Sequence, residues 1–546
     1  MGISLKDIFK NDEEVLVENR RKNAIRNMII FSCVIVVLIV VALVIKFWGN
    51  VDEDRRIAIT KDIQNIKGAV LLQSNKHISD ESMGELPGKS LEEKGVQINI
   101  NGIVEEYRYG YYLLEPKDLK LLDVSLNLPE ERYLVNYETG DVINATGIKY
   151  NKRVYHSIDD LTAIQTGEVP LSDKVIIISK AEDLDKIRNN PNGYFRLSAN
   201  IDLSSYAQGD GWNPIKEFSG IFDGRGYTIS NLTINRATQD YIGLFGDVKS
   251  SAKITNLKIE DAKIIGGRYT GVLAGNCTGS ISYVHVSGTV TGLGGSTGGL
   301  VGAFSTSQIR NCTIKGDVKG DSAVGGAIGT LYGGTLNRVR TEGNVTAIEN
   351  VGGLVGLARI TISTYVQESA AYEHVNGKSN LGGLIGSIEM TGTIQTDDEN
   401  ESDDLNISNT YAIGSVQTGE KNMGGMIGQI YTVQGAPSIV FKHLYSDVSV
   451  VVKGETSGGF LGQSDASNTS CSVIECYWKK DLAPGEVLNG VGQTVQGNRM
   501  NFEDRTPEAM IMRSNYDWNF DSVWEIKDRR STPTLKWERD YIAGGK

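Results

Sequence analysis

The sequence predicts an all-β chain: a parallel β-helix of about eight glycine-anchored coils, preceded by one N-terminal transmembrane helix and a small membrane-proximal α+β domain. Three observations carry this prediction. The pattern Gly-Gly-apolar-apolar-Gly recurs along more than two hundred residues, at the spacing of one coil of a solenoid. Between its copies a strand–turn–strand segment recurs in step with it. One apolar run of membrane-spanning length stands near the N-terminus. Composition agrees, because Gly is frequent at 63 residues, Pro is scarce at 10, and the 23 Tyr outnumber Phe and Trp together, as in many short strands joined by tight turns. The formal net charge of −12 excludes a nucleic-acid partner, since Lys and Arg cluster only at the extreme N-terminus.

Residues 1–27 carry mixed charge with too little apolar surface to fold alone, and read as a cytoplasmic tail. The membrane anchor follows at 28–48. From Met28 to Ile45 the run is broken only by Ser32 and Cys33, and continuing to Trp48 gives about 30 Å of helix. Arg20, Arg21, Lys22 and Arg26 flank it on one side and Asp52, Glu53 and Asp54 on the other, which puts the N-terminus inside and the rest outside. A cleaved signal peptide is the competing reading, but the run is long, begins late and lacks a small-x-small cleavage site.

Residues 49–168 read as the small α+β domain. Ile57, Ile59, Ile63, Ile66 and Leu71 have loosely helical spacing, and strands are expected at Val96–Ile103, Tyr107–Leu114 and Tyr133–Tyr137, the last returning through Asp141–Asn144.

The β-helix is expected over 175–480. Its anchors end at Gly246, Gly275, Gly302, Gly329, Gly356, Gly386, Gly428 and Gly462, and these glycines lie 29, 27, 27, 27, 30, 42 and 34 residues apart. Each anchor glycine is expected at a corner that needs either a positive φ or space where a Cβ would sit. The alternating segments, such as ITNLKIEDAKI from Ile254 and IRNCTIKGDV from Ile309, should stack coil on coil about 4.8 Å apart, with a bend at their central polar residues. Leu184–Ile187 suggest a short helix over the first coil. Residues 481–546 read as a C-terminal cap, with Trp518, Phe520, Trp524 and Trp537 closing the last coil; exposed aromatics for sugar binding are the alternative.

These anchors resemble the GLUG motif, a repeat named for its Gly-Leu-any-Gly core and found in bacterial surface proteins, adhesin-like ones among them. YFRLSANIDLSS, WNPI and FSGIFDGRGYTISNLTI upstream, with YDWNFDSVWEI and TPTLKW downstream, extend the resemblance over about 175–540. It implies a surface-displayed interaction protein. Residues 28–165 are similar to type IV pilins and pseudopilins, in which a membrane helix leads into a small antiparallel sheet; YLVNYETGDVIN resembles their closing hairpin. That family's processing site, a Gly before an aromatic residue with a Glu shortly after, is absent.

A search for chemistry yields no catalytic, cofactor or metal site. His77, His156, His285, His374 and His443 form no HExxH, and no GxSxG occurs. The five cysteines, Cys33, Cys277, Cys312, Cys471 and Cys476, contain no CxxC and read as unpaired structural residues, with Cys471 and Cys476 the one candidate disulfide. The glycine anchors lack the following Lys of a phosphate loop. Asp223, in the turn Asp223–Gly226, is the candidate carboxylate of a lyase, although such turns commonly close coils. The acidic insert Asp397–Asp404 lacks the glycine and final Glu of a calcium loop. The sequence therefore predicts a membrane-anchored, surface-displayed binder of an extracellular glycan or protein, with affinity spread over its coils. A pilin-like component carrying a β-helical passenger and a polysaccharide lyase are the alternatives.

Overall fold

A computed structural model describes residues 175–390, 405–433, 436–451, 456–466, 469–480, 488–496 and 500–539, with shorter stretches between 58 and 156. The expected membrane segment, with Met28, Ile45 and Trp48, and the acidic insert 397–404 lie outside the described residues. Among the described residues no helix is long and apolar enough to cross a membrane.

From Val175 the chain winds into a parallel β-solenoid of about nine turns. Each turn has one long strand, exemplified by Lys253–Gly266, Ser280–Gly292, Gln308–Lys319 and Gly334–Thr346. Two short strands follow: a first leg such as Gly295–Gly298 or Ser322–Gly325, and a second leg such as Val301–Phe304 or Ile328–Leu331. Long strands pair with long strands, and legs with legs, one coil on. The register places Ile254, Ile281, Ile309, Leu336, Val366, Ile407 and Phe441 in one buried ladder. Each such side chain stabilises the fold by about 1.5–3 kcal/mol through burial, which is why coils that could not fold singly hold together as a stack.

The bend expected within the long strand is a column of left-handed residues. Asn256, Tyr283, Asn311, Arg338, Glu368, Asn409, His443 and Glu475 all have φ between 44° and 57°. Asn adopts this region readily, whereas the others are held there at a cost of about 1–2 kcal/mol each by the ladders on either side.

The anchor glycines do not stand at corners. Gly246, Gly275, Gly302, Gly329, Gly356, Gly386 and Gly428 are each the second residue of a second leg, and Gly462 lies inside Ser457–Ala466. None has a positive φ. Their role is close approach: a Cβ on Gly302 would lie 2.5 Å from Thr270 N and from Tyr269 C, on the first leg of the preceding coil. The two legs thus pack backbone against backbone. Positive φ is needed elsewhere, at Gly288, Gly316, Gly343 and Gly414, with φ between 139° and 151°, in one column of the long strands that Glu373 interrupts between the last two.

The first coil is covered by a 3-10 segment, Ala181–Asp185, and a helical turn, Lys186–Asn189, which bury Leu184 and Ile187. Asp183 fastens this cover by accepting from Ser179 N and Lys180 N. The last coil is closed by Leu488, Met500 and Phe502, with Phe502 stacked on Phe460 at 3.9 Å between ring centres. The tryptophans expected to do this do something else. Trp518, Trp524 and Trp537 are buried in a C-terminal strap, residues 507–539, that runs back along the outside of the long strands over Tyr477, Tyr445 and Tyr411. Trp537 Nε1 donates to Glu368 O at 2.8 Å and Trp524 Nε1 to Asn409 Oδ1 at 3.1 Å. The last coil is small enough for two phenylalanines, whereas the tyrosine ladder needs a cover several coils long.

In the small domain, Lys89–Ser90, Tyr111–Leu114, Tyr133–Asn136 and Val142–Asn144 form an antiparallel sheet, and Val96–Ile100 pairs with Ile103–Tyr107. Ile66 and Val70, on helical residues 61–70, pack on Leu114, Leu119, Tyr133 and Val135. Buried Tyr111 donates to Asp223 Oδ2 at 3.2 Å, tying this sheet to the solenoid.

Candidate functional site

The first legs carry a second left-handed column: Tyr241, Tyr269, Ser296, Ala323, Asn350, Asn380 and Asn422, with φ between 54° and 64°. These side chains stand beside the third residues of the second legs, Asp247, Asn276, Ala303, Thr330 and onward in register. Farther along the rod the two columns meet at Ser296 and at Asn422. Ser296 Oγ lies 2.6 Å from Thr330 Oγ1, and Asn422 Nδ2 lies 3.3 Å from Gln429 Oε1. Asn350, Asn380 and Asn422 also bond one to the next at 2.8 Å, an amide ladder along the axis.

In the first two coils the columns stand apart. The tyrosines stack, with ring centres 5.0 Å apart and planes inclined by 18°, and border a cleft of about 600 Å³. Glu217, Asp247 and Asn276 line its second-leg side, Arg188 and Asn213 one end, and Tyr332 is also in the wall. Gly246 lies in the lining too. Tyr241 is 47% exposed, unlike the buried aromatics under the strap.

Most charges in and around the cleft are neutralised by protein partners, while the exposed Lys216 also stands in the lining. Asp240 receives the Arg268 guanidinium at 2.7 and 3.0 Å and its backbone N at 2.8 Å, and Arg268 lowers its pKa. Asp247 receives Lys249 Nζ at 2.5 Å and Asn276 Nδ2 at 2.8 Å; Glu217 lies 3.4 Å from the same ammonium, whose pKa is raised chiefly by Asp247. Arg188 donates to Asp185 and to the Asn213 and Pro214 carbonyls, and covers the Trp212 ring at 5.0 Å. Burial, then the Tyr269 phenol, raises the pKa of Tyr332. What the lining offers is aromatic surface and planar hydrogen-bonding groups with little free charge.

Asp223, the carboxylate singled out from sequence, lies elsewhere. It is fully buried beneath Tyr111, accepts from Arg225 N at 3.0 Å and Asn256 Nδ2 at 3.3 Å, and has Arg196 Nε at 3.6 Å. It holds the small domain to the rod. Cys277, Cys312, Cys471 and Cys476 are free thiols, and among the described residues no group of three His, Cys, Asp or Glu could hold a metal. Tyr241 and Tyr269 escaped the sequence reading, though a signal existed: they stand five and six residues before Gly246 and Gly275, where later coils carry Ser, Ala or Asn.

The fold and cleft define a β-solenoid with a lateral groove. No family model matches the chain. It is 32% identical over 306 residues to halomucin of Haloquadratum walsbyi, covering 52% of this chain and 3% of that protein. It is 28% identical over 419 residues to an Evansella cellulosilytica protein described as a Gly-rich membrane protein, covering 68% of this chain and 46% of that one. The chain thus spans less than half of either relative. Among solved structures, a Bacteroides ovatus protein described as an immunoglobulin A1 protease aligns at TM-score 0.33 and 17% identity, over 67% of this chain and 93% of that one. An IgA1 protease aligns at 0.37 and 13%, over 78% and 31%.

Proposed function

We propose that this protein is a membrane-anchored, surface-displayed β-helical binding protein that takes an extracellular glycan or protein ligand in the cleft beside Tyr241 and Tyr269. The observation that carries the reading is the placement of that cleft. The outer face of the long strands is occupied by the chain itself, with the small domain attached at Asp223 and the strap over Tyr411, Tyr445 and Tyr477. The side of the legs carries the open groove. Surface display is supported by the apolar run Met28–Ile45, by the resemblance of the anchors to GLUG-repeat surface proteins, and by the naming of one relative as a membrane protein. A binding role is favoured over catalysis because Asp223, the carboxylate singled out from sequence, is sealed from solvent, and Asp240 on the cleft wall is engaged by the Arg268 guanidinium.

The test displays the full chain on intact cells, wild type and Tyr241→Ala/Tyr269→Ala, and applies each to an array of extracellular glycans and matrix proteins. Binding to at least one array member, lost in the double variant with folding intact, is the expected result. Binding that the double variant retains in full refutes the cleft as the site.

A further inference from the structure

We infer that the ligand of this cleft is a neutral, hydroxyl-rich glycan chain, with a sugar ring seated against the exposed face of Tyr241. The inference rests on the cleft being the binding site and specifies what fills it. Three classes of extracellular ligand must be compared, and the lining separates them.

An acidic polysaccharide needs cations free to meet its carboxylates or sulfates. The guanidinium of Arg188 is committed to Asp185 and two carbonyls, Arg268 to Asp240, and Lys249 to Asp247 and Glu217. Lys216 is the further cation of the lining, beside the three carboxylates Glu217, Asp240 and Asp247, so a polyanion meets carboxylates more often than cations. An extended peptide gains its affinity by adding to a sheet edge. Here the bordering strands Phe245–Val248 and Ala274–Cys277 are hydrogen-bonded on both sides, and Ile215–Phe218, which ends that 15-stranded sheet, lies against the helical turn Lys186–Asn189, so the cleft presents mainly side chains.

A neutral sugar fits both halves of the lining. Its C–H face is apolar and packs on an aromatic ring, and the Tyr241–Tyr269 stack presents such a ring already fixed in position by its neighbour. Its hydroxyls both donate and accept, matching the amides and carboxylates of Asn213, Asn276 and Asp247. The stack follows the rod axis, since Tyr241 and Tyr269 occupy equivalent places in successive coils. A chain of sugars therefore lies along the rod, and the closed Ser296–Thr330 contact limits it to a few units.

The full chain in detergent micelles is titrated with neutral hexasaccharides (glucan, mannan and galactan), with a polyuronate hexasaccharide of equal length, and with the array proteins bound by intact cells. We expect a neutral hexasaccharide to bind, to lose affinity at least tenfold in Tyr241→Ala, and to change by less than twofold between low and high salt, because no net charge is paired. Tyr431→Ala, an exposed tyrosine on Ile427–Thr432, should leave binding unchanged. Polyuronate or protein binding that depends on Tyr241, without neutral-glycan binding, overturns the ligand class while the cleft stands. Neutral-glycan binding indifferent to Tyr241→Ala overturns the cleft itself.

Discussion

Gly356→Ala adds one methyl group to the most regular part of the rod, and the structure shows where that methyl goes. It would lie 2.7 Å from Val324 C, with Val324 N and Ala323 C closer still. These are backbone atoms of Ser322–Gly325 in the preceding coil, so no side-chain rotation relieves the clash. Carbon contacts are comfortable at about 3.5–4.0 Å, so the legs must separate by roughly 1 Å. That strains bonds such as Ala327 N to Leu354 O at 3.0 Å and Leu354 N to Leu384 O at 2.8 Å. Overpacking a well-filled core costs about 1–3 kcal/mol, and a contact between two backbones belongs at or above the top of that range. Gly295→Ala is the matched control: its Cβ meets nothing nearer than Ser322 Oγ at 3.5 Å. That change should be neutral or stabilise by up to about 1 kcal/mol by restricting the unfolded chain. Urea unfolding of the full chain, followed by circular dichroism, measures both. If Gly356→Ala and Gly295→Ala have equal midpoints at unchanged slope, backbone-to-backbone packing of the legs is refuted.

Truncation after Thr506 removes the strap and bares the tyrosine ladder, so the shortened chain should bind an aromatic dye and self-associate while keeping its β-rich circular dichroism. Glu538, buried beside Tyr372, Tyr411 and Arg340, has its pKa raised, chiefly by burial. Its contribution is therefore full below the ordinary carboxylate range and lost as pH rises through the folded value; protease nicking of the strap should quicken as pH rises above the ordinary carboxylate range, and Glu538→Gln should flatten that dependence. Asp183 has the opposite sign: burial would raise it, but Lys186 and the Ser179 hydrogen bonds outweigh that and hold it at about 2. Its contribution is present above the ordinary value of 3.8 and lost as pH falls towards 2, so amide protection factors in Ala181–Asn189, taken relative to the unfolded-chain exchange rate at each pH, should fall over that interval.

Much of the solenoid was legible because its physics repeats. Period-two alternation in ITNLKIEDAKI marks inward Leu257 and Ile259, and both are buried; eight glycine anchors give the coil length. The role of those glycines was less legible. A sequence shows that a Cβ is unwanted but not whether strain or contact forbids it, and left-handed positions in the long strands went to Tyr283, Arg338 and Glu368 as well as to Asn256, and of these only Asn favours that conformation. Trp518, Trp524 and Trp537, expected to close the last coil, cover the tyrosine ladder instead. What they cover depended on Tyr411, Tyr445 and Tyr477, which are dozens of residues apart in sequence and aligned only by register. The cleft was hidden for the same reason. Tyr241 and Tyr269 become a pair only when the coil register is known, and they then stand out against Ser296, Ala323 and Asn350 in the same column.

In a repeat protein the common residues build the rod, so a site is expected where a column departs from its own rule. The sequence alone suggested affinity shared evenly along the flank; the tyrosine pair concentrates it in the first coils. Deletion of single coils separates the two. Removing Ala303–Gly329 joins Gly302 to Thr330, which already occupies the place of Ala303 in the next coil, so the neighbouring legs keep their phase. Removing Asp247–Gly275 joins Gly246 to Asn276, the register partner of Asp247, and takes Tyr269 with it. Both rods should fold, because each remaining coil finds an equivalent neighbour. Ligand binding by the full chain should survive the first deletion within about threefold, and fall by a factor of ten or more, about 1.4 kcal/mol, in the second. A similar partial loss in both would restore the evenly shared flank, since one stacked ring pair cannot be removed by a deletion that leaves it in place.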